Sequence, residues 1–446
     1  MDAVDGLTFA RAQMGISLAF HIVFAAAGVA LPALMVLADL RHRRTRDPEY
    51  LLLSKRLAKG TGILFAVGAV SGTVLSFELG LLWPRFMGKF GESIGLAFAL
   101  EGFAFFTEAI FLGIYLYGRD RVSPRLHLGS GIAVAASGAA SAAFVTLVSA
   151  FMNGPGPGGA DPLAAMWSPS WSHQVVHVLI SCYQATAWAM VGISGFILLR
   201  NPARTLHRKA LALALPIACV TAIVQPVSGD RSAKHLAVAQ PLKLAAAEAH
   251  LRTASRAALH VGGIPDLDTG EFHGAIAVPW ALSILAFGDR DATVVGLEAF
   301  PRDEWPPVLA VRTAFQVMVG TGTAMALAAV AVALAALRRR RLPDGRRWLL
   351  AFALMGPLGF VALEAGWLVT EWGRQPWIVR GLMRTAEAVT DFPYKGAAFW
   401  LFTVVYMLLG AAVVYLLARQ IGGADKGGRS DPDAGADAGA TAAHVA

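Results

Sequence analysis

The sequence predicts an all-α, polytopic membrane protein of nine transmembrane helices, with its N-terminus outside and its C-terminus cytoplasmic. Three observations carry this expectation. Of 446 residues, 56% are hydrophobic and 15% charged, with a mean hydropathy of +0.55, whereas soluble domains carry about 25% charged residues. Nine apolar stretches are long enough to cross a hydrocarbon core of ~30 Å as helices. The basic residues collect in short connections on one side of those stretches, which is the cytoplasmic bias of Lys and Arg.

In chain order the stretches lie at about 14–39, 60–82, 93–117, 127–151, 173–199, 210–227, 309–336, 347–371 and 396–418. Arg41, Arg43, Arg44 and Arg46 follow the first, so it reads as a retained span rather than a cleaved leader. Arg119, Arg121 and Arg125 follow the third, Arg200, Arg204, Arg208 and Lys209 the fifth, and Arg338 to Arg341 the seventh. The same bias explains the +8 net charge without any nucleic-acid partner. One outer connection departs from it, carrying Arg374, Arg380, Arg384 and Lys395, and calls for a specific use. Cys182 and Cys219 both lie inside apolar segments and read as small buried hydrophobes.

The domain expected from this pattern is a transmembrane unit over 1–421, followed by a Gly/Ala/Asp tail at 422–446 too poor in large apolar residues to form a core. An outer loop over about 227–308 is far longer than the other connections, and loops of that length are usually functional. It contains an amphipathic-looking segment from Pro241 to His250. No internal repeat is evident, which weakens a transporter built from inverted halves.

Six ionisable residues stand inside the apolar stretches: His21, Glu101, Glu108, His177, Glu364 and Glu371. A charged side chain at the centre of a span costs about 2.5–3.5 kcal/mol on insertion scales, so such residues mark pathways and cofactor sites. At 1.5 Å per residue, His21, His177, Met318 and Glu371 fall in the outer half of four different helices. Glu101 and Glu108 are seven apart and share a helix face, as do Glu364 and Glu371. Each has a plainer reading: a packed, hydrogen-bonded histidine, a methionine filling the core, or neutral carboxylic acids holding helices together. His173 and His177 form an i, i+4 pair that could bind a metal, although His173 sits at the helix mouth and reads as solvated. His and Met together are an axial pair for low-spin haem, and one His or Glu suits a five-coordinate haem.

At these residues the chain resembles subunit I of the cytochrome bd family of bacterial terminal oxidases, from Arg11 to about Leu417. The most specific match is Gly366-Trp367-Leu368-Val369-Thr370-Glu371-Trp372-Gly373-Arg374-Gln375-Pro376-Trp377, similar to the family's glutamate followed by GRQPW. Arg11 and His21, Glu101-Gly102 and Glu108, His177-Val178-Leu179-Ile180-Ser181-Cys182-Tyr183, and Phe315-Gln316-Val317-Met318-Val319-Gly320 follow in family order. The resemblance implies that His177 and Met318 are axial ligands of a low-spin haem b. It implies that His21 and Glu371 each ligate one of two high-spin haems, a haem b and a haem d or a b haem in its place; which takes which stays open. Arg374, Trp367 and Gln316 complete the implied cofactor-binding set, with Arg374 and its neighbours steadying haem propionates. Glu101 would lie at the high-spin site and Glu108 would relay protons to it. Lys243 and Glu248 match the pair associated with quinol oxidation, in a loop that resembles the shorter, so-called cyanide-insensitive form.

Two departures from the family pattern stand out. Position 316 is Gln where many relatives have Arg, and Ser149-Ala150-Phe151-Met152-Asn153-Gly154-Pro155 lacks the usual Asn and Trp before its Met. The activity implied is a quinol:oxygen oxidoreductase, electrogenic but not pumping. It would take ubiquinol or menaquinol at the outer face and protons from the cytoplasm to reduce O2 to water. The partners implied are a homologous subunit II, a small single-span subunit and the lipids of the bacterial plasma membrane. Two other classes stand beside it: a haem electron carrier or cytochrome-c-fed oxidase of the same superfamily, and a proton-coupled transporter. The Lys243/Glu248 pair argues against the first of these, and Met318 with the GRQPW segment against the second.

Overall fold

The computed structural model describes residues 3–156, 161–389 and 395–422. The tail expected to be disordered lies outside the described residues from position 423 on, as do residues 157–160 of a Gly/Pro-rich connection. Among the described residues nine helices are long and apolar enough to span a membrane. The helices are α1 (Ala3–Thr45), α2 (Pro48–Leu82), α3 (Pro84–Tyr117), α4 (Pro124–Asn153), the short α5 (Pro162–Met166), α6 (Trp171–Arg200) and α7 (Thr205–Ala239). After the long loop, which holds α8 (Pro241–Glu248) and α9 (Ala281–Phe287), come α10 (Val308–Arg339), α11 (Arg346–Met355), α12 (Leu358–Trp372), the one-turn α13 (Thr385–Ala388) and α14 (Lys395–Gly422). Proline opens α2, α3, α4, α5 and α8, where its missing N–H costs nothing and its φ is already helical. Asp47, Ser123 and Asp161 cap α2, α4 and α5 through their side chains.

The arginine-rich ends meet at one end of the bundle. Asp39 near the end of α1, 1% exposed, accepts from Arg43 Nε at 3.0 Å and from Arg119 Nη1 at 3.3 Å. Lys209 Nζ reaches Asp47 at 2.6 Å, and Gln420 donates to the Arg56 carbonyl. These contacts join α1, α2, α3, α7 and α14 at the end that the charge bias assigns to the cytoplasm.

The eighth span is two helices, α11 and α12, separated at Gly356-Pro357. Proline has no N–H to continue the ladder, and the break lies where α12 meets α6 at backbone distance. A Cβ added to Gly356 would sit 2.9 Å from Gly192 Cα, and one added to Gly359 would sit 2.5 Å from Ala185 Cα. Small residues let membrane helices approach this closely, and packing then replaces the hydrophobic drive that lipid cannot supply. Gly359→Val is expected to push α12 off α6 at a cost of about 1–3 kcal/mol, the usual range for overpacking. A thermal midpoint for cofactor release unchanged from the parent would show that the seam tolerates a side chain.

The long connection between α7 and α10 is shorter than expected. Hydropathy ends near Val227, yet α7 continues to Ala239, so the loop begins at Gln240. A helix that leaves the hydrocarbon keeps its hydrogen bonds without needing apolar side chains, and the Lys234–Asp230 pair at 2.7 Å supports those last turns. The loop is also structured. Antiparallel ladders pair Ala254–Ser255 with Thr293–Val294, Leu259–Val261 with Ile276–Val278, and Ile264–Pro265 with Phe272–His273. A fourth pairs Trp377–Val379 with Met383–Arg384 just after α12.

Candidate functional site

The four residues expected to ligate haem lie on four helices, and the first three of them meet a neighbouring helix. His21 on α1 places Nδ1 2.9 Å from Ser71 Oγ on α2, and Gly72 leaves room for the ring, since a Cβ there would be 3.2 Å from His21 Cε1. His177 on α6 has Nδ1 3.3 Å from Ser228 Oγ and Nε2 3.0 Å from the Gln225 amide nitrogen, both on α7. Met318 on α10 packs its sulfur over Gly366 of α12, where a Cβ would lie 3.0 Å from Sδ. Glu371 ends α12 in an ion pair with Arg374.

Arg374 is buried, and its Nε and Nη1 donate to no protein group. Orphaned guanidinium donors of this kind are costly unless an anion takes them, and planar bidentate pairing with a carboxylate is what Arg does best. Two further basic residues of the connection after α12 have partners of their own among the described residues. Arg380 donates to the Ala239 carbonyl at 3.0 Å, and Arg384 donates to Asp303 at 2.7 Å and lies over the Trp377 ring. Gln316, expected beside the Met ligand, turns to the loop and accepts from the Gly262 N–H at 3.1 Å. Trp367, half-buried, follows Gly366 on α12.

Glu101 and Glu108 lie along the α3/α4 seam. Ser141 donates to Glu101 at 3.2 Å, and Glu108, 7% exposed, lies against Gly138 three residues earlier on α4, where a Cβ would come within 3.3 Å of its carboxylate. Glu364, which the sequence left without a role, keeps one carboxyl oxygen buried and unpartnered beside an open, apolar groove between α10 and α12.

The amphipathic-looking segment is not a surface helix. From Lys243 to Glu248 every residue of α8 is buried. At 100° per residue, Lys243 and Glu248 are about 140° apart, and each takes its own partners. The Lys243 ammonium donates to Asn153 Oδ1 at 2.7 Å, on the last residue of α4, and to the Thr370 carbonyl at 2.9 Å. Gly373 of the GRQPW segment makes room for the stem, because a Cβ there would lie 2.8 Å from Lys243 Cε. Glu248 closes α8, where Ala249 turns the chain in a left-handed conformation (φ 48°). Its carboxylate is 3.8 Å from Arg312 Nη1. Arg312, 2% exposed, also donates to the Glu248, His260 and Gly262 carbonyls at 2.7, 2.8 and 2.9 Å. Burial pushes the Lys243 ammonium down to about 7, helped by the Arg374 charge and opposed by Glu371. It pushes the Glu248 carboxyl up to about 7, with Arg312 pulling the other way.

Sequence reasoning missed three of these groups. Arg312 is a lone arginine one turn into a span on the loop side. Asn153 is the last polar side chain of α4. Glu78, 1% exposed within α2, accepts from Gln13 at 3.0 Å and Ser17 at 2.9 Å, and is as deeply buried an acid as any of the six first singled out.

Among the described residues, no three His, Cys, Asp or Glu side chains form a group that could hold a metal ion. Single donors on separate helices, oriented by a hydroxyl (His21, His177), a glycine (Met318) or an arginine (Glu371), fit a metal whose other ligands come from a macrocycle, and the orphaned Arg374 donors fit its carboxylates. That is the construction of a haem-carrying membrane oxidoreductase of the respiratory chain. The sequence model of the family described as "Cytochrome bd terminal oxidase subunit I" matches residues 9–424, and the chain belongs to that family. It is a multi-pass bacterial membrane protein. It is 38% identical over 429 residues to a putative cytochrome bd menaquinol oxidase subunit I of Bacillus subtilis, covering 93% of this chain and 96% of that one. It is 29% identical over 438 residues to cytochrome bd ubiquinol oxidase subunit 1 of the same organism, covering 93% of each. The bd oxidase structure from Geobacillus thermodenitrificans matches with a TM-score of 0.88 at 38% identity, covering 94% of this chain and 99% of that chain.

Proposed function

We propose that this chain is the quinol-oxidising, oxygen-reducing subunit of a bd-type terminal oxidase, working beside a subunit II, a small single-span subunit and membrane lipid. The observation that carries the reading is α8: a buried lysine and a buried glutamate, each with its own partner, wedged between the outer ends of α4, α10 and α12. Its relatives are named for menaquinol and for ubiquinol, and either quinol suits this chemistry. His177 and Met318 would hold a low-spin haem b. His21 and Glu371 would hold two high-spin haems, one b and one d or a second b, with Arg374 on a propionate. Bound haem supplies one-electron transfer and the iron at which oxygen is reduced.

The residues of the chain do the proton work. Quinol must shed two protons as two electrons leave. Ionised Glu248 accepts a proton, while the Lys243 ammonium stabilises the developing negative oxygen. Asn153 and the Thr370 carbonyl hold that ammonium in place. Glu101 and Glu108, on one face of α3, deliver protons for water from the end that the charge bias assigns to the cytoplasm. Protons released outside and consumed from inside make the reaction electrogenic without a pump.

This reading predicts a bell-shaped pH profile. The fraction of Glu248 able to accept a proton rises as pH climbs through about 7, and the fraction of Lys243 still charged falls through about 7. Quinol-driven oxygen uptake by the purified complex is therefore expected to peak near neutrality in kcat/KM, and Glu248→Gln is expected to remove the rising acid limb. Unchanged quinol-driven uptake in both Lys243→Ala and Glu248→Ala would favour a haem carrier fed by another donor. A purified complex without a haemochrome spectrum would overturn the oxidase reading altogether.

A further inference from the structure

The outer mouth of α6 and α7 holds a polar cluster that none of these roles uses. His173, one turn before His177 on α6, has its ring 4.3 Å from that of His235 on the last turns of α7. Ser170 Oγ lies 3.1 Å from His235 Nε2, and Ser170 is 1% exposed. Ser170 in turn lies against Gly154, where a Cβ would be 3.2 Å from its hydroxyl and 3.9 Å from the Gln240 side-chain nitrogen. Gly154 follows Asn153, which takes the Lys243 ammonium. Ser168 beside them is fully buried, and its hydroxyl has no protein partner. Polar groups thus line a path from Lys243 past Asn153 and Ser170 to two half-buried imidazoles.

We propose that the His235–His173 pair, seated on Ser170, is a proton-release relay that carries quinol protons from the Lys243 side of α8 to solvent at the loop end of the bundle. The proposal rests on the reading that quinol is oxidised at α8. Imidazole suits the task because it accepts a proton at one ring nitrogen and gives one up from the other. Two rings this close repel each other when both are charged, so the pair passes one proton at a time. The quinol O–H bond breaks, its electron goes to the oxidase's own acceptor, and its proton goes to the relay and then to water. The relay returns to its starting charge with each transfer and consumes no co-reactant. The ionisable groups that act on His173 are His177 on α6 and Lys243 on α8, while Arg231 and the Asp230–Lys234 pair lie within two turns of His235 on α7 and Arg380 donates to the Ala239 carbonyl at the end of that helix.

The test uses the complete oxidase in its native membrane with His235→Gln, His173→Gln and the double variant. Glutamine keeps a hydrogen-bonding amide but cannot carry a proton. Oxygen uptake is measured across pH with a short-chain quinol and, separately, with ascorbate plus an aromatic diamine that gives electrons without protons. Quinol-driven turnover is expected to fall about tenfold or more, with diamine-driven turnover and the low-spin spectrum unchanged and partial rescue by added imidazole. Quinol turnover and pH profile equal to the parent's overturn the relay alone, and equal loss with both donors overturns it in favour of a structural role. A parent complex that fails to oxidise quinol overturns the α8 reading, and the relay with it.

Discussion

His177→Ala is expected to remove the low-spin b bands from the reduced-minus-oxidised spectrum and to lower quinol-driven oxygen uptake at least about a hundredfold, because no other donor stands where its ring does. The imidazole is held from α7 by Ser228 at Nδ1, which leaves Nε2, with the Gln225 amide nitrogen 3.0 Å away, as the nitrogen a metal would take. Partners of this kind fix which nitrogen is presented to a metal. Met318→Leu makes a sharper companion. Leucine nearly conserves volume and is expected to cost less than about 1.5 kcal/mol in packing, so the helix contact over Gly366 survives while the sulfur is lost. The haem is then expected to stay bound but change from low to high spin. A pyridine haemochrome count with difference spectra separates the two variants: one fewer haem for His177→Ala, the same number with altered bands for Met318→Leu. A full low-spin signal in both would remove the pair from the ligand set.

Arg312→Ala is expected to detach the loop between α7 and α10 while leaving the helix bundle intact. The guanidinium satisfies three carbonyls, faces the Glu248 carboxylate and lies 4.7 Å from the centroid of the Phe272 ring. Removing one partner of a buried ion pair costs about 3–5 kcal/mol, because the other charge is left stranded. Three uncapped carbonyls add to that cost. Lysine is no substitute, since a point charge cannot reach four acceptors fixed in a plane-and-fork arrangement. The expected result is loss of quinol-driven uptake and rapid proteolysis between Gln240 and Pro307 in both Arg312→Ala and Arg312→Lys, with haem spectra unchanged. Protease resistance equal to the parent's would show that the loop ladders hold without this residue.

The sequence made the spans legible because a hydrocarbon core demands about twenty apolar residues per helix, and the α12 motif legible because its residues carry unusual chemistry in a fixed order. The end of α7 was not legible, because hydropathy reports the edge of the membrane and helices do not stop there. The burial of α8 was hidden for a related reason. Pro241 to Glu248 sets one lysine and one glutamate among apolar residues as a surface helix does, and only Asn153, Thr370 and Arg312, all distant in the chain, show that both groups are inside. Arg312 and Glu78 were passed over because each lies toward a span end, where a charge raises no alarm. The contact of Gln316 with the loop was not legible beside Met318, since residues two apart on a helix point to different sides.

The glycine seam between α6 and α12 sets a distance. With Gly192 against Gly356 and Ala185 against Gly359, main chain rests on main chain, and no side chain remains to be compressed or rotated. The His177 backbone, on α6, is therefore spaced from the Glu371 backbone, on α12, by covalent geometry and van der Waals radii. Electron tunnelling is steeply sensitive to gap width, so redox centres hung from these helices would keep a constant coupling as temperature and lipid composition change around them.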